Sequence, residues 1–133
     1  NLGDALYWSP EQRAQAPAKY RQAISIGLTK LQVNPRDAEL LAYVANYSAM
    51  LDDRPAAFGY LQKALQITPA KGEALFRAAI VYNHFNQTEQ ALSYLKKAVD
   101  GGYSRAIVRD TPDFQNLQQN PQFRALMAEL AAK

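Results

Sequence analysis

The chain has 133 residues and can bury roughly two thirds of the surface of its unfolded form, which is enough for one small domain without covalent cross-links. It contains no cysteine, which excludes disulfides, thiolate metal sites and a cysteine nucleophile. Its net charge is only +3 and its lysines and arginines are scattered, so we expect no nucleic-acid partner. No apolar run approaches the ~20 residues that cross a bilayer, so we expect no membrane insertion.

Residues 1–8 are predicted to be the end of a helix that begins upstream of the sequence. Leu2, Gly3 and Leu6 have the spacing of an apolar helix face with one small residue. The chain starts at Asn1 and not at a methionine, so we expect it to be part of a longer protein. The apolar surface that a preceding helix would cover is then expected to be open at this end, where self-association could occur.

A long helical segment is predicted to follow. Pro10 suits the first position of a helix and comes directly after a serine that can cap it. Pro17 lacks a backbone donor and clashes with the preceding turn, which predicts either a kink or a short helix over 10–16 followed by a longer one over 17–33. Gly27 interrupts the apolar face of that helix and is expected to mark a close helix crossing.

Four further helices are predicted in the middle of the chain. Asp37 can cap the first of them and Asp53 the second, which ends before Pro69. The fourth ends at the glycine pair 101–102. The four helices are predicted to cover residues 37–51, 53–67, 71–85 and 88–100.

The apolar residues of these four helices recur after 34 residues. The first copy contains Leu41, Val44, Ala45, Ser48, Ala57, Leu61, Ala64 and Pro69; the second contains Leu75, Ala78, Ala79, Tyr82, Ala91, Leu95, Ala98 and, in place of the proline, Tyr103. A fixed 34-residue period of paired helices with this spacing is the signature of a tetratricopeptide repeat. The chain therefore resembles the tetratricopeptide-repeat family.

The resemblance implies an all-α fold, an α-α superhelix of stacked helical hairpins. One partial repeat with an extended second helix is expected in residues 1–35, and complete repeats are expected in 36–69 and 70–103. In such arrays the first helices of the hairpins line a concave inner wall. The scaffold determines how this wall presents its side chains, but it does not determine what the wall binds.

Residues 104–133 are expected to close the array as a C-terminal cap. Two blocks begin at Thr111 and Asn120, and each reads as a cap residue, a proline at the first helical position and an apolar face. The last helix is predicted to cover the final repeat with Phe123, Leu126, Met127 and Leu130. This tail also resembles the C-terminal end of tetratricopeptide regions in bacterial multidomain signalling and regulatory proteins.

We expect the chain to be a non-catalytic interaction module that binds a peptide or protein segment in its concave groove. If packing uses the repeated apolar positions, the other inward side chains of the first helices are free for a partner. Aromatic anchors bury large areas, and amides can bond a peptide backbone. The groove candidates are Tyr7, Trp8, Asn46, Met50, Phe76, Arg77, Ile80, Asn83 and His84.

Several candidates also have a purely structural interpretation. Tyr7 and Trp8 fit packing against the long helix, or against a missing neighbour, as well as they fit a ligand contact. The two asparagines among the candidates fit a solvated helix surface. Arg77 lies one helical turn after Glu73, which favours an ion pair between them.

The family resemblance permits one sharper comparison. Family members that bind the C-terminal tails of chaperones hold the terminal carboxylate with lysine, asparagine and arginine residues. The corresponding positions here hold Asp4, Tyr43 and Glu73, and only Arg77 matches. An acid repels a carboxylate at such a site, so we reject a carboxylate-clamp function.

The sequence contains no catalytic or cofactor-binding pattern. It lacks a Gly-rich phosphate loop, a nucleophile elbow and paired histidines, and His84 has no second ligand at metal-binding spacing. We therefore expect no enzyme activity, no metal and no cofactor. The alternative to groove binding is a structural or assembly role, by self-association or by packing on a neighbouring domain, within a multidomain bacterial regulator. We expect a cytoplasmic location.

Overall fold

The computed structural model describes residues 13–67 and 72–132 of the chain. Within these residues the fold is all-α, as predicted, and contains no β-strand. None of the described helices is long and apolar enough to cross a membrane. The helices are α1 (Ala16–Val33), α2 (Ala38–Met50), α3 (Arg54–Ile67), α4 (Gly72–His84), α5 (Thr88–Asp100), α6 (Arg105–Asp110) and α7 (Pro121–Ala132), with short 3-10 helices at Arg13–Gln15 and Pro112–Leu117.

Pro17 lies in the first turn of α1, where a helix has no intrahelical acceptor for the amide that proline lacks. The long helix predicted over 17–33 is therefore confirmed, with a start one residue earlier. Of the short helix predicted over 10–16, residues 10–12 lie outside the described part of the chain. A Cβ on Gly27 would lie 2.8 Å from Val44 Cγ2, so the close crossing between α1 and α2 is also confirmed.

The caps predicted for α2 and α3 are present. The Asp37 carboxylate accepts a hydrogen bond from the amide of Leu40 at 3.0 Å, and the Asp53 carboxylate accepts one from the amide of Ala56 at 3.2 Å. Each carboxylate satisfies one of the amides that have no partner within the first turn of a helix.

Most of the described residues that recur after 34 positions are buried in the core. Ala45 and Ala79 are fully buried, and Leu61 and Leu95 are buried to within 1%. These side chains lie in apolar clusters between successive helices. Alanine at the crossing points lets the helix backbones approach closely, while leucine fills the space between them. The repeated pattern is thus a packing pattern.

The turns of the two hairpins repeat the same backbone geometry 34 residues apart. Asp52 and Asn86 have φ angles of 59° and 63°, in the left-handed region that Asp and Asn adopt more readily than most residues. In each turn the amide of the following residue donates to the carbonyl five residues earlier: Asp53 to Ser48 at 3.0 Å, and Gln87 to Tyr82 at 2.9 Å. The period of the sequence is therefore also a period of the backbone.

The two hairpins are α2 with α3 and α4 with α5, and they pack on one another mainly through α2 and α4. We call α2 and α4 the first helices of the hairpins. On its other side α2 packs on α1, and α4 packs on the 3-10 helix Pro112–Leu117. The first helices therefore lie side by side in the middle of the described structure.

The C-terminal segment covers the last hairpin, as predicted. Asn120 caps α7 by accepting the amide of Phe123 at 3.1 Å. Phe123 and Leu126 are buried in one cluster with Phe114 and side chains of α4 and α5. Met127 packs against the same cluster, and the side chain of Leu130 lies outside the described part of the chain.

Two features of this segment were not predicted. The helix α6 precedes the first proline block, and the block itself forms a 3-10 helix. Thr111 has an extended backbone with ψ of 118°, as expected for a residue before a proline. Pro112 therefore ends α6, and the 3-10 helix begins at this proline.

Candidate interaction surface on the first helices

Most of the predicted groove residues are buried. The expectation that these side chains are free of packing is wrong for five of them, which expose between 1% and 6% of their surface: Asn46, Met50, Phe76, Ile80 and Asn83. Tyr7 and Trp8 lie outside the described residues. The remaining two candidates, Arg77 and His84, are only partly buried.

The aromatic candidate on α4 is covered by the C-terminal segment. Phe76 stacks on Tyr103, with ring centroids 4.7 Å apart, and meets Phe114 edge-on at 5.9 Å. Ile80 lies in the same buried cluster. These side chains hold the 3-10 helix against α4, and so they are not available to a peptide.

The amide candidate Asn83 bonds the chain itself. Its Nδ2 donates to the backbone oxygen of Asp113 and to Oδ1 of Asn116, both at 2.9 Å. In return, Asn116 Nδ2 donates to Asn83 Oδ1 at 3.0 Å. The amide pair satisfies a buried polar side chain, and this explains an asparagine on a packed face.

The remaining buried candidates join neighbouring elements. Met50 packs with Ala16 and Tyr20 at the start of α1. Asn46 Oδ1 accepts a hydrogen bond from Arg77 Nη1 at 2.8 Å, which links the two first helices.

Arg77 is the centre of a polar and aromatic group between α2 and α4. Its Nε donates to Glu73 Oε1 at 3.0 Å, so the predicted ion pair is present. Its guanidinium carbon lies 4.3 Å from the ring centroid of Tyr43, within the range of a cation–π interaction. Burial lowers the pKa of Arg77, but the hydrogen bond and charge of Glu73 outweigh it and raise the pKa overall.

Glu73 is held from a second direction as well. Tyr103 Oη donates to Glu73 Oε2 at 3.0 Å, so both carboxylate oxygens have a partner. Burial raises the pKa of Tyr103, and the Glu73 carboxylate raises it further, because a phenolate beside a carboxylate would be repelled. Burial also raises the pKa of Tyr43, against the opposing charge of Arg77.

These contacts define the surface that the first helices leave accessible. We call it the first-helix surface, and it consists of Glu39, Tyr43, Glu73 and Arg77. Glu39 and Tyr43 precede Glu73 and Arg77 by one 34-residue period, so the four residues occupy two equivalent positions on each helix. Tyr43 is not among the groove candidates predicted from the sequence; its spacing of one period to Arg77 is the signal that could have found it.

A cavity of about 470 Å³ lies at the N-terminal ends of α2 and α4. Glu39 and Glu73 line it from the two helices, and Arg36 lines it from the turn before α2. Glu39 and Arg36 are exposed, whereas Glu73 is held by its two partners. Asp37 also lines the cavity, and its carboxylate is held by the amide of Leu40. The cavity thus has two fixed carboxylates, one adaptable carboxylate and one cation.

His84 lies at the opposite end of α4. Its Nε2 is 2.7 Å from Asp52 Oδ1 in the turn of the preceding hairpin, and its ring meets Phe85 edge-on. The bond joins two successive hairpins. Together with Asn83, His84 lines a polar cavity of about 480 Å³.

The described residues contain no group of three or more His, Cys, Asp or Glu side chains that could hold a metal ion. What the first-helix surface offers is a set of oriented hydrogen-bonding groups and one aromatic ring. Such a set can recognise a ligand by shape and charge.

The chain matches no protein-family model and no curated protein.

Proposed function

We propose that the chain is a non-catalytic protein-interaction module that binds a peptide segment along the first-helix surface. The observation that carries the proposal is the Arg77 group. One guanidinium bonds Glu73 and Asn46 and covers Tyr43, and it thereby fixes side chains of two neighbouring helices in one orientation. A surface whose side chains are already ordered loses less conformational entropy when a partner binds.

The position of the cavity supports a peptide as the ligand. It lies beside the fixed Glu73, and its volume of about 470 Å³ is in the range of small-molecule and side-chain pockets. Glu39 and Arg36 are exposed there and can bond the amide and carbonyl groups of an extended chain.

Membership of the tetratricopeptide-repeat family is part of this proposal. Its support is the 34-residue period in three properties: the apolar pattern, the left-handed residues Asp52 and Asn86, and the burial of equivalent side chains such as Leu61 and Leu95. The proposed setting is a cytoplasmic bacterial regulator with further domains, and it rests on the resemblance of residues 102–126 and 1–8.

The test is a selection of short peptides from a random library on the whole chain, followed by affinity measurement. We expect Glu39→Lys to weaken the selected peptides about tenfold or more, because it reverses a charge in the cavity. Gln62→Lys is the matched control, because it adds a lysine at an exposed position of α3 that does not line the cavity. Equal affinity of the two variants would refute the proposed surface.

Assembly is the second candidate role, and one observation favours it. Val33, at the end of α1, exposes 88% of its surface, and Ile26 on the same helix exposes 51%. Under this role the molar mass from light scattering rises with concentration, and Val33→Asp abolishes the rise. Ile107→Asp is the control, because Ile107 is also 51% exposed but lies on α6.

A further inference from the structure

A second concave surface lies at the other edge of α2. We call it the end groove, and its volume is about 260 Å³. Helix α1 forms one wall and helix α2 the other, with a glycine at the crossing between them. The lining residues are Ala23, Ile26, Gly27, Lys30, Leu40, Tyr43 and Tyr47.

The repeat period shows what shape this groove receives. Tyr43 and Tyr47 precede Arg77 and Val81 by 34 residues, and Leu40 precedes Ala74 by the same distance. In α4 these later positions face α2: Ala74 and Val81 pack in clusters with alanines of α2, and Arg77 bonds Asn46. The equivalent face of α2 therefore has the form that receives an α-helix.

The charge of α1 shows what kind of helix fits. α1 contains three cations and no acid. Lys30 lines the groove, and Lys19, eleven residues or about three turns earlier, lies on the same side of the helix. Among the described residues neither lysine has a carboxylate partner. Their charges are thus available to acids on a docked segment.

We infer that the end groove binds an amphipathic α-helix of a partner protein whose flank carries acidic residues. Its apolar side would cover Ile26, Leu40 and the tyrosine rings, and its acids would lie beside Lys19 and Lys30. This inference deepens the proposed interaction function, because it adds a second surface and names the chemistry of the partner.

The probe is a synthetic amphipathic peptide of about 18 residues, or five helical turns, with leucines on one face and glutamates on the flanks. The matched peptide carries lysines in place of the glutamates. Fluorescence anisotropy with the whole chain should show the acidic peptide binding at least tenfold more tightly, with an affinity that falls between low and physiological salt. Equal affinity of the two peptides, or no binding of either, would overturn the inference.

Two variants locate the binding. Lys30→Glu should remove the preference for the acidic peptide. Arg21→Glu makes the same charge change on the same helix, but Arg21 lies nine residues, or two and a half turns, from Lys30 and so on the opposite side. It should leave the affinity within about threefold, because an exposed charge on the far side is screened by salt. An equal effect of both variants would overturn the inference.

Other occupants of the groove would give different results. If the acidic peptide bound only to a Leu6→Glu variant, the occupant would be the N-terminal segment of this chain, and the inference would fail. If the chain dimerised and Lys30→Glu abolished the dimer, the occupant would be a second copy, and the inference would also fail. Variants separate the two proposals, although Tyr43 belongs to both surfaces. Glu39→Lys should weaken only the peptides selected on the first-helix surface, and Lys30→Glu should weaken only the helical peptide.

Discussion

The guanidinium of Arg77 lies over the ring of Tyr43, 4.3 Å from its centroid, and joins two helices that are one repeat apart. The two residues occupy equivalent positions of successive repeats, but one is aromatic and the other is cationic. A repeat of identical residues could not make this contact. The cation–π contact between these two hairpins therefore depends on the difference between the residues at the equivalent positions.

Replacement of Arg77 should destabilise the fold. Arg77→Met keeps the apolar stem but removes the donor to Asn46, whose side-chain oxygen is then buried without a partner. We expect a loss of about 2 kcal/mol in the free energy of unfolding, measured by urea denaturation. Arg109→Met is the control, because Arg109 bonds Asp110 in an exposed ion pair and should cost less than about 0.5 kcal/mol. Equal losses would show that Arg77 has no special structural role.

Much of the fold could be predicted from the sequence, because the signals that mark it are local. Asp37 and Asp53 mark helix starts by a carboxylate that bonds an amide three residues later. The helix α6 could not be predicted in this way, since its capping serine stands in a short segment with little periodicity.

The candidate surface was harder to predict than the fold. The repeat pattern separates buried positions from others, but it does not say how the other positions divide between a neighbouring helix and solvent. Phe76 and Asn83 follow Ala42 and Ala49 by one period. The two alanines of α2 pack in clusters with side chains of α4, and Phe76 and Asn83 of α4 contact the 3-10 helix Pro112–Leu117. Only the packing of the 3-10 helix on α4 reveals this, because contact between distant segments depends on tertiary structure.

Gly27 should be intolerant of a side chain. In Gly27→Ala the added Cβ would lie 2.8 Å from Val44 Cγ2, and Val44 is buried and stiff at χ1. We expect a loss of about 1–3 kcal/mol in the free energy of unfolding. Gly59→Ala is the matched control on α3, where nothing lies within 4 Å of the added Cβ, and it should gain about 0.5–1 kcal/mol. A gain at both positions would contradict the close crossing of α1 and α2.

The amide pair between Asn83 and Asn116 should be energetically coupled. Asn83→Ala removes both donors from a buried site and should cost about 2 kcal/mol. A double-mutant cycle with Asn116→Ala should give a coupling energy of about 1 kcal/mol in urea denaturation. The control cycle pairs Asn83→Ala with Gln115→Ala, an exposed neighbour on the same 3-10 helix, and should be additive within about 0.5 kcal/mol. An additive result for the amide pair would show that the hydrogen bonds between the two side chains do not stabilise the fold.

Alkaline pH should weaken the fold partly through Tyr103. Burial and Glu73 raise the pKa of Tyr103 in the folded chain, so the unfolded chain releases its proton first. Protonated Tyr103 therefore contributes to the free energy of unfolding. This contribution is complete below the tyrosine pKa of the unfolded chain, about 10, and is lost as the pH rises above that value. Between about pH 8 and about pH 11, Tyr103→Phe should therefore lose less stability than the unmodified chain. At about pH 8 its free energy of unfolding should be the lower of the two, because it lacks the bond to Glu73.

Urea denaturation at several pH values measures this difference. Tyr60→Phe is the control, because it removes a tyrosine hydroxyl from α3, away from Glu73. This variant should lose nearly as much stability at alkaline pH as the unmodified chain. If Tyr103→Phe lost as much stability as the unmodified chain over this range, ionisation of Tyr103 would not oppose folding. The hydrogen bond to Glu73 would then be the only contribution of this hydroxyl.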